Sequence, residues 1–467
     1  MSTASERSDN ENQPLITPHL HRRVRSDIFS PKRHWKNLII LSLTFLFCFT
    51  AYGAIQNIQS SVNSSQGLGL LSLGIVYASL IASSLLAPAV IKFFGAKWTI
   101  VFCTLCYCIY SYANFFPSYA TLIPASCLLG FSAAPLWVAQ GTYLTTSAIQ
   151  LAEIINDVPE FVINRFNGVL YAFFQTNQVW GNILSFTVLN ENGTTPKNVS
   201  NCGHYSCGAS INSESNPPNE NDVQVLFGLF SLSGMIAVLL SMCLLDEQPS
   251  ASTRLETDTG SSASLFTSTL KLMWDFQLFL LIPVFMFSGI EQAFIVGDFT
   301  KSYVTCTQGV SMVGVVMIAF GVSDVLSSLI FGQLEKITGR IFLFTLGAII
   351  HLGLMTYLYL WDPKHSQSWQ LFVVAAGWGV GDAMWQTQCS SLIGVTFASC
   401  QEPAFSNFRL WQSAGFCVSF ISSIPKPVCV WHKLIGISAW LIVSMVMYYC
   451  FEYKIRKEAN QVIPERT

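Results

Sequence analysis

The sequence predicts an all-α polytopic membrane protein with twelve transmembrane helices in two pseudo-symmetric six-helix bundles. Three observations predict it. About twelve apolar stretches are each long enough to cross a bilayer, which takes about 20 residues at a rise of about 1.5 Å each. The Lys and Arg between these stretches fall almost entirely on one side. Features of the first six stretches return, in order, in the last six. Inside lipid only a helix or a closed barrel satisfies its own backbone groups, so runs of this length read as helices.

Composition agrees. Hydrophobic residues make up 51% and charged residues 11%, against about 25% charged in an ordinary soluble domain. A net charge of -2 gives no nucleic-acid footprint. The 35 Phe and 12 Trp suit lipid-facing and interfacial surfaces.

In order, residues 1–37 form a polar tail without a cleavable signal peptide at its start. The first bundle, 38–245, holds spans near 38–56, 68–91, 98–116, 119–146, 166–189 and 223–245, with a long outer loop at 190–222. A linker, 246–275, contains Ser250-Ala251-Ser252-Thr253 and Gly260-Ser261-Ser262 and is expected to be disordered. The second bundle, 276–451, holds spans near 276–298, 308–331, 341–360, 369–396, 404–424 and 429–451. A short tail, 452–467, follows, and neither end carries a lipidation signal.

With the N-terminus in the cytosol, 18 of the 24 Lys and Arg fall in inner segments and five in outer ones (Lys197, Lys301, Lys364, Lys426 and Lys433), with Arg409 inside a span. That bias predicts both termini and the linker on the cytosolic side. Three glycosylation sequons, at Asn63, Asn192 and Asn198, all fall in outer loops under this orientation. Most of the 14 Cys lie inside spans as small buried hydrophobes. Cys202 and Cys207 differ. They sit in the long outer loop, on the oxidising side, and are candidates for a local disulfide. No Cys/His spacing resembles a zinc site, so no metal or other cofactor is expected.

The internal repeat rests on three matches. Span four carries Trp137-x-x-Gln140-x-x-x-Leu144 and span ten Trp385-x-x-Gln388-x-x-x-Leu392. These spacings put the three residues on one helical face. The loops after spans two and eight read Lys92-Phe93-Phe94-Gly95-Ala96-Lys97 and Lys336-Ile337-Thr338-Gly339-Arg340, both Lys-x-x-Gly followed by a cation. Span five has Phe174-Gln175-Thr176 where span eleven has Trp411-Gln412-Ser413.

The arrangement resembles the major facilitator superfamily. Gly95 and Gly339 match its Gly-x-x-x-Asp-Arg-x-Gly-Arg loop signature, but the acid and most of the basic cluster are missing, which weakens the implied gate coupling. Nearly the whole membrane region more narrowly resembles the uncoordinated-ninety-three family, its homolog A branch best. The residues that carry this are Phe49-Thr50-Ala51-Tyr52-Gly53, Ala133-Ala134-Pro135-Leu136-Trp137-Val138-Ala139-Gln140, Val179-Trp180-Gly181-Asn182, Ser302-Tyr303-Val304-Thr305-Cys306-Thr307, Trp385-Gln386-Thr387-Gln388 and Phe408-Arg409-Leu410-Trp411. The resemblance implies a transporter-like scaffold. It also implies regulatory or escort roles: a two-pore-domain potassium channel for the founding nematode protein, nucleic-acid-sensing receptors for a vertebrate branch. It favours the plasma membrane.

Four charges lie inside spans: Glu291, Asp324, Asp382 and Arg409. Each needs a partner or a water-filled cavity. Asp324 and Arg409 lie at equal depth, which suggests an ion pair, with snorkelling of Arg409 to the inner interface as the alternative. Asp382 lies near mid-membrane and Glu291 in the outer half, so both are candidates for lining a cavity or coupling to protons. Trp137, Gln140, Trp385 and Gln388 join them as cavity candidates, against plain packing and helix-to-helix hydrogen bonding. His351, the only His within a span, reads as a satisfied interior residue. No catalytic arrangement and no phosphate-binding Gly-rich loop appears. The tail segment Glu11-Asn12-Gln13-Pro14-Leu15-Ile16 resembles an acidic dileucine sorting signal, with Glu11, Leu15 and Ile16 as its readable positions and endosomes or lysosomes as its destination.

Two functions follow. The first is a non-enzymatic membrane regulator or accessory protein on a carrier scaffold, acting in the lipid bilayer on a potassium channel or another membrane protein. The alternative is a secondary active carrier of a small organic solute, driven by a proton or other gradient.

Overall fold

The computed structural model describes residues 30–62, 68–188, 202–207, 220–248, 262–308, 311–363, 368–422 and 428–462. These residues are helical nearly throughout. The helices are α1 (Pro31–Val62), α2 (Leu68–Ser84), α3 (Ala87–Ala113), α4 (Tyr119–Ile155), α5 (Pro159–Val188) and α6 (Glu220–Leu244). After them come α7 (Ser262–Met273), α8 (Phe276–Ala293), α9 (Ser311–Thr338), α10 (Arg340–Leu360), α11 (Trp369–Thr396), α12 (Gln401–Ile421) and α13 (Val430–Val462). A π-helical stretch, Phe294–Thr305, prolongs α8.

Among the described residues, eight helices are long and apolar enough to cross a membrane. The chain is therefore a multi-pass membrane protein. Helices α5 (30 residues), α11 (28) and α12 (21) have the length but not the composition. Their faces carry buried Asn164, Asn167, Gln175, Asp382, Gln388, Asn407 and Arg409. A helix that hides such groups from lipid must be wrapped by others, and these three are the helices that build the polar core described below.

Gly95 breaks α3 with φ 75° and ψ 160°. Gly339 breaks the chain between α9 and α10 with φ 79° and ψ 157°. An L-residue with a side chain rarely adopts this backbone conformation, so Gly is the residue that fits. The two Lys-x-x-Gly segments thus make the same turn, as their sequence match predicts.

Helix α5 runs along α9. At Gly168 and Gly332 the backbones touch: a Cβ on Gly168 would meet Gly332 Cα at 2.7 Å. Helix α2 faces α12, where Tyr77 stacks on Phe416 with ring centroids 5.3 Å apart and Ser406 Oγ donates to the Ser84 carbonyl.

One end of the bundle collects ion pairs. Asp246 takes Arg33 Nε at 2.7 Å and Lys36 Nζ at 2.8 Å. The hydrogen bond from Arg33, seconded by Lys36, holds its carboxyl down to about 2. Arg340 joins Glu452 at 2.7 Å and Glu160 at 3.2 Å. At this end the linker departs from expectation. Its second part is helix α7, which packs against α12 and α3, and Asn407 Nδ2 donates to the Thr269 carbonyl at 3.1 Å. Leu272, half-buried, packs against the hydrophobic core.

The opposite end corrects the disulfide expectation. Cys202 and Cys207 do not bond to each other. Cys202 pairs with Cys306, 104 residues away, and Cys207 with Cys429, 222 residues away. The 3₁₀ turn Gly203–Tyr205 separates the two thiols, and the segment docks on the ends of the second-half helices. There Val430 N donates to the Ser206 carbonyl at 2.9 Å, and His204 packs on Tyr359. Five residues of separation gave no view of these distant partners.

Candidate functional site at the helix crossing

Helix α11 puts Trp378, Asp382 and Trp385 on one face by their spacing of four and three. All three are buried, Asp382 to 1% exposure. Asp382 is the hub. Its Oδ1 accepts from Gln292 Nε2 at 2.8 Å and from Gln386 Nε2 at 3.2 Å. Its Oδ2 accepts from Gln175 Nε2 at 3.1 Å. Donors from α8, α11 and α5 thus converge on one carboxyl group, joining Gln175 of the first half to the second.

Glu291 on α8 is fully buried. Its Oε2 accepts from Trp378 Nε1 at 2.7 Å and lies 3.4 Å from His351 Nε2, while Oε1 has no hydrogen-bond partner. Trp385 Nε1 lies 3.1 Å from His351 Nδ1. An indole nitrogen only donates, so Nδ1 accepts from Trp385 when it is unprotonated, and donates to the Gly347 carbonyl, 3.3 Å away, when it carries the proton. The ring is therefore more than a satisfied interior residue. It links Glu291 to Trp385. Glu291 and Asp324 each lie within electrostatic range of Asp382.

The proposed ion pair between Asp324 and Arg409 is not formed. Asp324 accepts from Ser328 Oγ at 3.1 Å, one turn along its own helix. Arg409, 5% exposed, does not snorkel. Its Nη1 donates to Gln412 Oε1 at 2.6 Å and its Nη2 to Tyr171 Oη at 3.0 Å. Its guanidinium carbon stands 4.3 Å from the centre of Trp137 and 4.6 Å from that of Phe408. The depth expected from the sequence did not bring Asp324 and Arg409 together: their side chains meet different neighbours. Gln412 passes the network on, donating to Ser288 Oγ at 3.1 Å.

The remaining candidates divide. Gln388 Nε2 donates to Asn164 Oδ1 at 2.9 Å, between α11 and α5. Both side-chain polar atoms of Gln140 are buried without a partner. Asn63, Asn192, Asn198, Glu11, Leu15 and Ile16 lie outside the described residues.

Sequence reasoning missed Trp378, Tyr171 and the pair Asp298–Lys433, joined at 2.7 and 2.9 Å. Trp378 had a signal, four residues before Asp382 and on its face. Tyr171 had none beyond its place on a polar helix. Among the described residues no group of His, Cys, Asp and Glu is placed to hold a metal ion.

Residues 60–449 match a family profile described as "Ion channel regulatory protein UNC-93". The chain is 41% identical over 429 residues to protein unc-93 homolog A of Xenopus laevis, covering 90% of this chain and 93% of that protein. It is 34% identical over 400 residues to the "Putative potassium channel regulatory protein unc-93" of Caenorhabditis elegans, covering 82% of this chain and 56% of that longer protein. In fold it is similar to the major facilitator proton:xylose symporter XylE, with a TM-score of 0.64 at 12% identity, over 91% of this chain and 96% of that one.

Proposed function

The chain belongs to the UNC-93 family of ion channel regulatory proteins, and from that premise we propose that it acts in the plasma membrane on a membrane-protein partner, a potassium channel first among them. The observation that carries this reading is the family match, together with the naming of the nematode relative as a potassium channel regulator. In this reading the major facilitator scaffold consists of two six-helix bundles. Its ion-paired end, with both chain termini and α7, faces the cytosol. Its disulfide end faces outward, where Asn63, Asn192 and Asn198 are available for glycosylation. The one-sided Lys and Arg support this orientation, and so does the occurrence of disulfides at the end assigned to the oxidising side. The protein performs no catalysis of its own and needs no cofactor. The tail signal at Glu11, Leu15 and Ile16 gives a second, endosomal address.

Affinity purification of the full chain from native membranes tests the reading. A potassium channel subunit should be recovered, and recovery should survive Asp382→Asn. Loss of every channel, together with solute uptake into liposomes that Asp382→Asn abolishes, would favour the carrier reading instead. That alternative rests on one specific observation: buried ionisable groups, Asp382 and Arg409, each bonded across both halves of the chain.

A further inference from the structure

Arg409 is the unusual group in the polar core. An arginine stays protonated in a protein, so its charge is permanent. A buried permanent charge is ordinarily matched by an opposite one. Here no carboxylate, among the described residues, lies within ion-pair distance of it. Its hydrogen-bond partners are the neutral Gln412 and Tyr171. Its guanidinium carbon lies over the rings of Trp137 and Phe408, and its Nε is buried without a partner. Of the second half's buried acids, Asp382 and Glu291 are engaged with amides, indole and imidazole, and Asp324 turns to Ser328.

We infer that Arg409 is a binding site for a small organic carboxylate. The guanidinium lies against two aromatic rings and donates from Nη1 to a carbonyl oxygen, Gln412 Oε1, at 2.6 Å. That oxygen occupies the position a carboxylate oxygen would take. A carboxylate that displaces Gln412 Oε1 from Nη1 and Tyr171 Oη from Nη2 would gain two parallel charged hydrogen bonds from the fork and would neutralise the charge. Gln412 would be free to keep its bond to Ser288. Trp137 and Tyr171 come from the first half, Arg409 and Gln412 from the second. A ligand seated here would tie the two halves together at their meeting point, where occupancy can be felt by both. The inference does not depend on channel regulation, since it concerns binding at this site alone.

The test uses purified full chain in lipid nanodiscs, benzoate as probe and benzamide as its neutral isostere. Benzoate should raise the unfolding temperature saturably and benzamide should not. Arg409→Gln should weaken benzoate binding at least about tenfold, the loss of one charged bidentate contact. Gln412→Glu supplies an internal carboxylate at the same spot. It should raise the unfolding temperature of the unliganded protein and remove the benzoate response. A wild-type chain indifferent to benzoate, or a benzoate response unchanged in Gln412→Glu or Arg409→Gln, would overturn the assignment. Should Arg409→Gln fail to fold, the Gln412→Glu result decides alone.

Discussion

The same short motif, Trp-x-x-Gln, appears twice on buried helices, and the two copies have been put to different uses. In α4, Trp137 offers its face. It lies under the Arg409 guanidinium and packs against Phe45, Phe49 and Phe174. In α11, Trp385 offers its edge, donating its N–H to His351. Gln140 has no polar partner, whereas Gln388 bonds Asn164 across the halves. The repeat thus fixes where a side chain sits on its helix. The neighbours decide which of its properties is used. The surroundings explain the difference: the first half lines its interior with aromatic rings and neutral amides, and the second gathers three acids and a histidine around one spot.

The largest way to break this comparison is to empty the hub. Asp382→Leu strands three amide donors, two of them buried, and should cost about 3 kcal/mol or more, read as a fall in unfolding temperature in nanodiscs. Asp382→Asn keeps one carbonyl acceptor and should cost less than half of that. A mild Asp382→Leu would mean that the three amides find other partners.

The two tryptophans then separate. Trp385→Phe removes a buried donor and should cost about 1 kcal/mol, while Trp137→Phe retains an aromatic face and should cost less than about 0.5 kcal/mol. Equal losses would erase the distinction between edge and face. The glutamines should differ in sign as well as size. Gln388→Leu should destabilise by about 1 kcal/mol, and Gln140→Leu should be neutral or stabilising, because it removes a buried amide that bonds nothing.

The ion pairs at the end of the bundle carry a small effect that depends on pH. Arg33 and Lys36 depress the Asp246 pKa from 3.8 to about 2. Its contribution is therefore present above pH 3.8 and is lost as pH falls toward about 2. Asp246→Asn should lower stability by under about 1 kcal/mol at neutral pH, since exposed ion pairs are worth little. The gap between variant and wild type should close on acidification through that window. A gap that persisted below it would assign the effect to something other than the Asp246 charge.

Much of the architecture was legible in the sequence because bilayer thickness and backbone hydrogen bonding leave few choices. Eight of the spans placed by length are, among the described residues, helices long and apolar enough to cross a membrane, and Gly95 and Gly339 gave away a repeated turn. The spans most polar in sequence, five, ten and eleven, became the helices of the polar core. What depth along a helix could not supply was azimuth. By sequence Asp324 and Arg409 share a level, yet they meet different neighbours, and only packing determines rotation about the axis. Long-range pairing was equally hidden. Nothing near Cys202 or Cys207 points to Cys306 or Cys429, because these partners lie 104 and 222 residues further along the chain. Helix α7 was missed because it is short, 12 residues, and follows the Ser/Thr-rich stretch of the linker.

The central claim, action on a membrane partner rather than movement of a solute, is tested most directly by current. The potassium channel recovered by affinity purification should be expressed in cells with and without this chain, and whole-cell potassium current recorded. The account expects current that depends on the chain's presence and that Asp382→Asn leaves in place. A channel indifferent to the chain, in cells where the chain drives uptake of an organic solute, would contradict it.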